Sequence, residues 1–247
     1  MSLISELVMT NATASRATAK SKLNGRLPIV VNGEAEIPAW VRDHASYRKW
    51  ARSDDFPEGG RFAYLNGTIW ADFTMEQVFT HNQVKTAIAA VLYQHVKALD
   101  LGYVFSDGTL LSHDGAGLSC EPDACFLTYE TVASKLARWI RGASEGYVEV
   151  EGTPDLVLEV VSTSSVRKDN VTLRDLYWRA GIREYWLVDA RATPLKFSLL
   201  RHQAKGYVEA RKQPEGWLKS AVFGRSFRLV QRLDRLGQPT FDLEVRE

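Results

Sequence analysis

Cysteine is scarce in this chain, which contains only Cys120 and Cys125. They form no CxxC pair and no cluster with histidine, so a disulfide framework or a structural zinc site is not expected, and a reducing compartment fits. No apolar run approaches the length of a membrane span. The N-terminus has Glu6 early and lacks the continuous apolar core typical of a signal peptide. We therefore expect a cytoplasmic protein.

An excess of charge of one sign is also missing, since the net charge is +1. A nucleic-acid site would therefore have to be a local basic patch. The 45% hydrophobic and 25% charged residues are typical of a soluble globular protein, and 247 residues suffice for one large domain with appendages. No period of 20 to 50 residues repeats, which excludes the repeat architectures.

The stretch 154–189 organises the rest of the chain. Residues 154–161 are almost continuously apolar and β-branched, which is typical of a strand that is buried on both faces. Residues 169–180 carry apolar side chains at helical spacing, and Gly181 follows as a C-terminal cap. Tyr185 to Val188 forms a second buried strand that ends at Asp189. The spacing predicts a right-handed strand–helix–strand crossover with parallel strands.

Glu159 stands in the middle of the first of these strands. Because side chains alternate between the faces of a strand, Glu159 lies on the same face as Asp155 and Val157. A carboxylate in such a strand is costly unless something pairs with it. It could bond an arginine or a backbone amide, or it could bind a metal ion; this strand alone favours the structural pairing.

The remaining segments predict further elements around this unit. We interpret residues 1–56 as an N-terminal arm or extension, with a short aromatic helix within 37–51, and residues 57–247 as the main domain. Asn66-Gly67 predicts a hairpin, and a long helix is expected over roughly 76–99, with His81 and Lys85 on one face. His81 could equally be a capping or packing residue. Short strands are expected at 103–105 and 109–112, on either side of Asp107-Gly108. Antiparallel strands are expected after Asp189, over 196–201, 206–211, 217–223 and 241–245.

A second acidic strand contains Glu121 and Asp123. Between it and the organising unit, residues 130–146 look like a basic, exposed excursion with one tryptophan. Magnesium prefers hard oxygen ligands, so Asp123 on one strand and Glu159 on its neighbour could converge on one ion. Asp155 and Glu159 alone could not easily do so, because four strand residues separate their Cα atoms by roughly 13 Å. Asp155 is therefore a supporting or turn residue.

The sequence from the Pro-Asp strand through PDLVLEVVS to AGIREYWLVDAR resembles the bacterial putative restriction endonucleases of the PD-(D/E)XK nuclease superfamily. The resemblance covers residues 60–230, and its core motif, 154–189, is long and specific. It implies an α/β fold with a restriction-endonuclease-like mixed central sheet flanked by helices, here with extra antiparallel strands at the C-terminus. It also implies a nuclease domain over 57–247 that cleaves DNA with Mg²⁺ or Mn²⁺.

The resemblance assigns metal binding to Asp123 and Glu159. The sequence departs from the family pattern at the catalytic lysine. Relatives carry this lysine at one of two positions, which are occupied here by Val161 and Leu173. A lysine in this fold orients the attacking water and offsets charge on the phosphate. Lys168, Arg174 or Lys85 could substitute, and we favour Lys168, although it could also be a solvated loop charge.

The resemblance implies supporting roles for His81, Asp169 and Tyr177, although packing would also explain Tyr177, and Asp155 joins them from the strand spacing. Three hypotheses for function follow: a metal-dependent DNA endonuclease, a silent relative that binds nucleic acid without cutting it, and a protein-interaction module. The retained acids favour the first hypothesis and the missing lysine favours the second. Cutting both strands of a duplex would suggest a homodimer with one site for each strand.

Overall fold

The computed structural model describes residues 28–31, 35–144 and 146–247. Most of the N-terminal arm lies outside these residues, and the division of the chain at 56/57 stays a prediction. The aromatic helix is confirmed, since Tyr47 and Trp50 are fully buried and pack with Phe62 of the main domain. Asp43 caps this helix by accepting a hydrogen bond from the backbone of Ser46, at 2.8 Å.

The strands, in chain order, are β1 (Ile29–Val31), β2 (Ala35–Ile37), β3 (Arg61–Leu65), β4 (Thr68–Asp72), β5 (Gly102–Ser106), β6 (Leu110–His113), β7 (Leu118–Cys120), β8 (Ala124–Thr128), β9 (Ala137–Arg141), β10 (Tyr147–Gly152), β11 (Leu156–Val160), β12 (Glu184–Asp189), β13 (Lys196–Gln203), β14 (Gly206–Glu209), β15 (Leu218–Lys219), β16 (Ser226–Leu233) and β17 (Pro239–Arg246). The α-helices are α1 (His44–Ala51), α2 (Val84–Ala98), α3 (Tyr129–Ala133) and α4 (Arg174–Arg179). Short 3₁₀ turns cover Asp114–Ala116 and Pro214–Gly216.

The central sheet has the strand order β14-β13-β12-β11-β8-β5. β11 pairs in parallel with β12 and antiparallel with β8. The sheet is therefore mixed, as predicted, and the strand of Glu159 lies between the strand of Tyr185 and the strand that follows Asp123. The parallel pair is joined by the predicted helix, since two parallel neighbours need a crossover rather than a hairpin.

β11 is buried on both faces, which explains its almost continuous apolar sequence. Leu156, Leu158 and Val160 share one hydrophobic cluster with the buried face of α2, and Val157 belongs to a second cluster on the other face. Complete burial of one such side chain contributes about 1.5–3 kcal/mol. Leu158 is 0% exposed, so truncation to alanine is expected to destabilise the fold by about 2–5 kcal/mol.

A second six-stranded sheet, of order β4-β3-β7-β6-β10-β9, shares the second hydrophobic cluster with the central sheet. Its β3–β4 hairpin turns at Asn66 and Gly67, which both have positive φ, as predicted. β5 and β6 were expected as short strands around Asp107-Gly108, and they lie in different sheets. Asp107 and Gly108, again with positive φ, carry the chain from one sheet to the other.

The expected antiparallel strands after Asp189 are present as β13, β14 and a three-stranded sheet, β15-β16-β17. One segment differs from the prediction. Residues 217–223 were expected to be a strand, but only β15 forms there, and the long strand is β16. The buried carboxylate of Glu184 accepts hydrogen bonds from the Ser220 hydroxyl, at 2.7 Å, and from the backbone of Ala221. These bonds hold the segment after β15 out of a β-ladder.

Both predicted helices begin with a π-helical turn, which the sequence pattern did not indicate. The residues Val78–Gln83 form such a turn before α2, and Lys168–Leu173 form another before α4. Gly181, at φ +77°, ends α4 as expected. π turns are frequent at functional sites, and these two contain His81, Lys168 and Asp169. Of the helices that the structure describes, none is long and apolar enough to cross a membrane.

Candidate active site

Two buried carboxylates face each other at one end of the β8–β11 pair. Asp123 directly precedes β8, and the register pairs Ala124 with Leu158, so one further step brings Asp123 opposite Glu159. Asp123 Oδ2 accepts a 2.6 Å hydrogen bond from the backbone of Val160. Asp123 and Glu159 are 8% and 2% exposed and line one small cavity of about 50 Å³.

Glu159 is held from behind by Tyr177. The Tyr177 hydroxyl donates a 2.5 Å hydrogen bond to Glu159 Oε1 and lies 3.2 Å from Cys120 Sγ. Burial raises the pKa of Glu159 well above its usual value, and the ammonium of Lys168 opposes this rise only in part. Glu159 is therefore a carboxylate that a bound cation would stabilise strongly.

Lys168 lies beside Glu159 because the π turn brings its side chain over the end of β11. Its Nζ is 3.9 Å from Glu159 Oε2 and 3.2 Å from Asp169 Oδ1. It also lies 4.7 Å from the centre of the Trp70 ring, in a cation–π contact. Burial alone would lower the pKa of Lys168, but Glu159 and Asp169 raise it above its usual value. These two carboxylates therefore favour the charged form of Lys168.

Asp169 is buried next to Lys168 and accepts a hydrogen bond from the Ser165 hydroxyl. Burial raises the pKa of Asp169, and Lys168 opposes the change. The Tyr185 hydroxyl donates to the backbone carbonyl of Asp169 at 3.0 Å. These contacts fix the first turn of the helix, so that Lys168 is held by packing and by two carboxylates.

The Asp123 side of the cavity carries a second group of charges. Lys85 Nζ lies 3.0 Å from Glu76 Oε1, 2.8 Å from Asp107 Oδ2 and 3.7 Å from Asp123 Oδ1. Burial would lower the pKa of Lys85, but these carboxylates raise it above its usual value. Burial likewise raises the pKa of Asp123, and His81, the Val160 amide and Lys85 oppose that rise.

Glu76, His81 and Asp123 each offer one ligand atom, and these three atoms lie within 4.8 Å of one another. His81 Nε2 is 3.7 Å from Asp123 Oδ2, and His81 Nδ1 is 3.4 Å from Glu76 Oε2. The His81 ring is buried, and its Nδ1 has no hydrogen-bond partner among the described residues. Carboxylate and imidazole donors around an orphaned buried nitrogen fit a divalent cation.

Of the residues that the sequence predicted for the site, the structure brings together His81, Asp123, Glu159, Lys168, Asp169 and, behind Glu159, Tyr177. It does not bring Asp155 there. The Asp155 carboxylate accepts hydrogen bonds from the Thr128 amide and the Thr131 hydroxyl and pairs with Arg183 at 3.0 Å. Asp155 therefore anchors α3 at the opposite end of β11.

The structure also separates the candidates for the missing lysine. Val161 and Leu173 are 1% and 0% exposed, and Leu173 belongs to the apolar core. Arg174 donates to the backbone carbonyl of Tyr207 and does not line the cavity. Lys168 and Lys85 are the two of the proposed substitutes that lie at the acids.

Sequence reasoning missed several residues that line or flank the cavity, namely Arg61, Trp70, Asp72, Glu76, Asp107 and Ser165. Glu121, noted only as a neighbour of Asp123, also lines it, and burial raises the pKa of Glu121. Most of these side chains come from the hairpin and the loops of the second sheet. Nothing local in the sequence shows that this sheet folds against β11; the only available signal was the grouping of Asp72 and Glu76 just before the helix.

Comparisons with known proteins bear on this geometry. Residues 45–230 match the model of the Uma2 family, which is described as "Putative restriction endonuclease". The chain belongs to this family. Its fold resembles the crystal structure of a putative nuclease belonging to DUF820 from Anabaena variabilis, with a TM-score of 0.50 and 17% identity over 66% of this chain and 83% of that one. No curated protein matches the chain.

Membership of the Uma2 family and the nuclease fold confirm the resemblance drawn from the 154–189 motif. The matched region begins within α1 and ends within β16, so it contains both six-stranded sheets and every cavity residue named above. At 17% identity the structural likeness establishes the fold alone. The roles of the individual side chains therefore rest on the geometry of this chain.

Proposed function

We propose that this protein is a metal-dependent nuclease that hydrolyses phosphodiester bonds in DNA. One observation carries the proposal: buried Asp123 and Glu159 come from neighbouring strands and share a small cavity with Lys168, whose ammonium lies 3.9 Å from Glu159. Buried acids of raised pKa beside a charged lysine are typical of a functional site.

Asp123 and Glu159 would hold the ion, and Mg²⁺ or Mn²⁺ suits their hard oxygen donors. A bound divalent ion supplies a more acidic water molecule and stabilises the charge that builds on the scissile phosphate. His81 and Glu76 are proposed as further ligands on the Asp123 side, because His81 Nδ1 has no hydrogen-bond partner among the described residues. The imidazole nitrogen would favour Mn²⁺ over Mg²⁺ as the tighter ion.

Lys168 is proposed to take the role of the family lysine. Its charge would offset the negative charge on the phosphate and orient the attacking water. Asp169 and Trp70 would act as positioning residues, since they hold the Lys168 side chain from two sides. Tyr177 would orient Glu159 by its hydrogen bond to Oε1. Lys85, which pairs with Glu76 and Asp107, would favour the ionised form of Asp123.

A second candidate is a relative that binds nucleic acid without cutting it. The apolar residues at Val161 and Leu173, both inside the core, favour this reading. Lys168 lies on the same π turn as Leu173 but at a different position. The nuclease and the silent relative therefore differ in whether the Lys168 ammonium can replace the family lysine. A cleavage assay decides between them, because a silent relative would bind the ion and DNA with no product.

The test is cleavage of labelled DNA with Mg²⁺ or Mn²⁺, together with calorimetric titration of Mn²⁺. We expect cleavage by the wild type and none by Glu159→Gln, which should also lose most of its Mn²⁺ affinity. Glu130→Gln is a matched control, because Glu130 is exposed on α3 and lies outside the cavity. Cleavage at the wild-type rate by Glu159→Gln would overturn the proposal.

A reducing, cytoplasmic location and a homodimer are part of the same proposal. Cys120 and Cys125 are both free and buried, which suits a compartment that keeps thiols reduced. A homodimer would place one site on each strand of a duplex. Analytical ultracentrifugation of the protein, together with an assay of duplex cleavage, tests the homodimer. A monomer that makes only single-strand nicks would exclude it.

A further inference from the structure

An aromatic groove opens between the edges of the two six-stranded sheets. We define it by Tyr103, Phe105, Trp139, Tyr147 and Val148, which line a space of about 360 Å³. Tyr103 and Phe105 project from β5 with rings 11° from parallel and 6.2 Å apart. The Trp139 ring, from β9, lies edge-on to both at 5.4 Å. These contacts make the groove a preformed aromatic surface.

The groove is open to solvent. Tyr147 is 61% exposed, Val148 43% and Tyr103 40%. Nothing in the described part of the chain covers these side chains, although each is large and apolar over most of its surface. A contiguous apolar patch with a polar rim marks an interaction site rather than an ordinary surface.

A basic side chain borders the aromatic groove. The Arg141 guanidinium is exposed and lies 5.1 Å from the centre of the Tyr147 ring. Arg138 is also exposed, but it pairs with Glu151 at 2.6 Å, so Arg141 is the cation that we assign to phosphate. Aromatic rings that stack on bases, next to cations that follow the backbone, are the usual means of binding single-stranded nucleic acid.

The strand β5 runs from the aromatic groove towards the candidate active site. Phe105 stands two residues before Asp107, whose carboxylate lies 2.8 Å from Lys85 and whose amide donates to the Asp123 carbonyl at 3.2 Å. Tyr103 is four residues from Asp107, which is about 13 Å of extended strand. One polynucleotide strand could therefore lie in the groove and reach the cavity within a few nucleotides.

We propose that the aromatic groove binds single-stranded DNA and that the nuclease acts on substrates with an unpaired segment. This rests on the proposed function and names its substrate class. Bases in a duplex are already stacked and paired, so their faces are not accessible to Tyr103 or Tyr147, whereas unpaired bases are. Arg141 at the border favours DNA over a second copy of this chain, because a copy would bring the same positive side chain to the groove.

The experiment measures fluorescence anisotropy of a labelled oligothymidylate of about 15 nucleotides with the full chain in EDTA, where no cleavage occurs. Tyr147→Ala should weaken binding at least about fivefold, since it removes one stacking surface. Arg141→Ala should weaken binding and flatten its salt dependence. Tyr93→Ala is the matched control, because Tyr93 is 55% exposed with Lys97 at 5.9 Å but projects from α2.

Each outcome decides the proposal. Equal affinity of wild type and Tyr147→Ala for the oligothymidylate overturns it, as does a loss of binding that Tyr93→Ala reproduces. A fall in molecular mass on Tyr147→Ala substitution, with unchanged DNA binding, assigns the groove to a second copy instead. Because binding is measured without metal, a protein that binds the oligomer but never cleaves it contradicts the nuclease function and leaves the groove assignment standing.

Discussion

Replacing Lys168 with alanine removes an ammonium group that lies 3.9 Å from Glu159 and 3.2 Å from Asp169. At an effective dielectric constant of about 20, two unit charges 3.9 Å apart interact by about 4 kcal/mol. Loss of a positioned donor to a developing oxyanion costs a rate factor of about 10² to 10³. We therefore expect Lys168→Ala to slow DNA cleavage by a hundredfold or more, with little change in DNA affinity, because the side chain is largely buried.

The pH profile separates a catalytic role from a structural one. Lys168 opposes the rise in the pKa of Glu159, so its removal should raise that pKa further. The ion and the reaction need ionised Glu159, so the acid limb of the rate profile should move to higher pH in Lys168→Ala. Lys168→Arg keeps the charge and should restore the position of the limb, although its planar group should recover only part of the rate.

The assay is single-turnover cleavage of labelled DNA at saturating Mn²⁺, from pH 5 to 9, with thermal unfolding of each variant. Arg167→Ala is the control, because Arg167 is the exposed neighbour of Lys168 on the same turn. A Lys168→Ala rate equal to that of wild type, in an assay where Glu159→Gln is inactive, would refute the role of Lys168. The search would then turn to Lys85, the other proposed substitute that lies at the acids.

Glu159→Gln should remain folded and unfold at a higher temperature at neutral pH. The pKa of Glu159 is raised above 4.5 in the folded state, which therefore holds the proton more tightly than the unfolded chain does. Wild-type stability should then fall as the pH rises from about 4.5 through the raised pKa. Melting curves of the variant should lack that fall. Asp123→Asn should abolish Mn²⁺ binding in calorimetry while circular dichroism stays unchanged, and retained binding would exclude Asp123 as a ligand. Tyr177→Phe removes the hydrogen bond to Glu159 Oε1 and should move the acid limb of the rate profile upward; an unmoved limb would contradict the orienting role. His81→Ala should lower Mn²⁺ affinity more than Mg²⁺ affinity, and an equal loss for both ions would argue against nitrogen ligation.

The core of the fold was readable from local pattern. The apolar run around Glu159, the helical spacing before Gly181 and the Asn66-Gly67 turn each depend on the side chains of a few consecutive residues. Burial on both faces demands an uninterrupted apolar strand, and a left-handed turn demands small or polar residues, so these segments carry their own structure. The sequence pattern did not predict the strand Ser226–Leu233, because the buried side chain of Glu184, distant in sequence, redirects the segment that precedes this strand.

The sequence by itself determined that Glu159 sits in a buried strand and that a helix over 169–180 follows, with Lys168 predicted in the loop before it. It also determined the family, since the 154–189 motif is contiguous. Only the tertiary structure decided which cations meet which acids. Lys168 reaches Glu159 because its helix begins with a π turn. Lys85 reaches Asp123 because α2 packs on the central sheet, and Glu76 reaches it from the segment after β4 of the second sheet. Asp123 lies 38 positions from Lys85 and 47 from Glu76, and the contacts between them depend on packing rather than on any local preference of the chain.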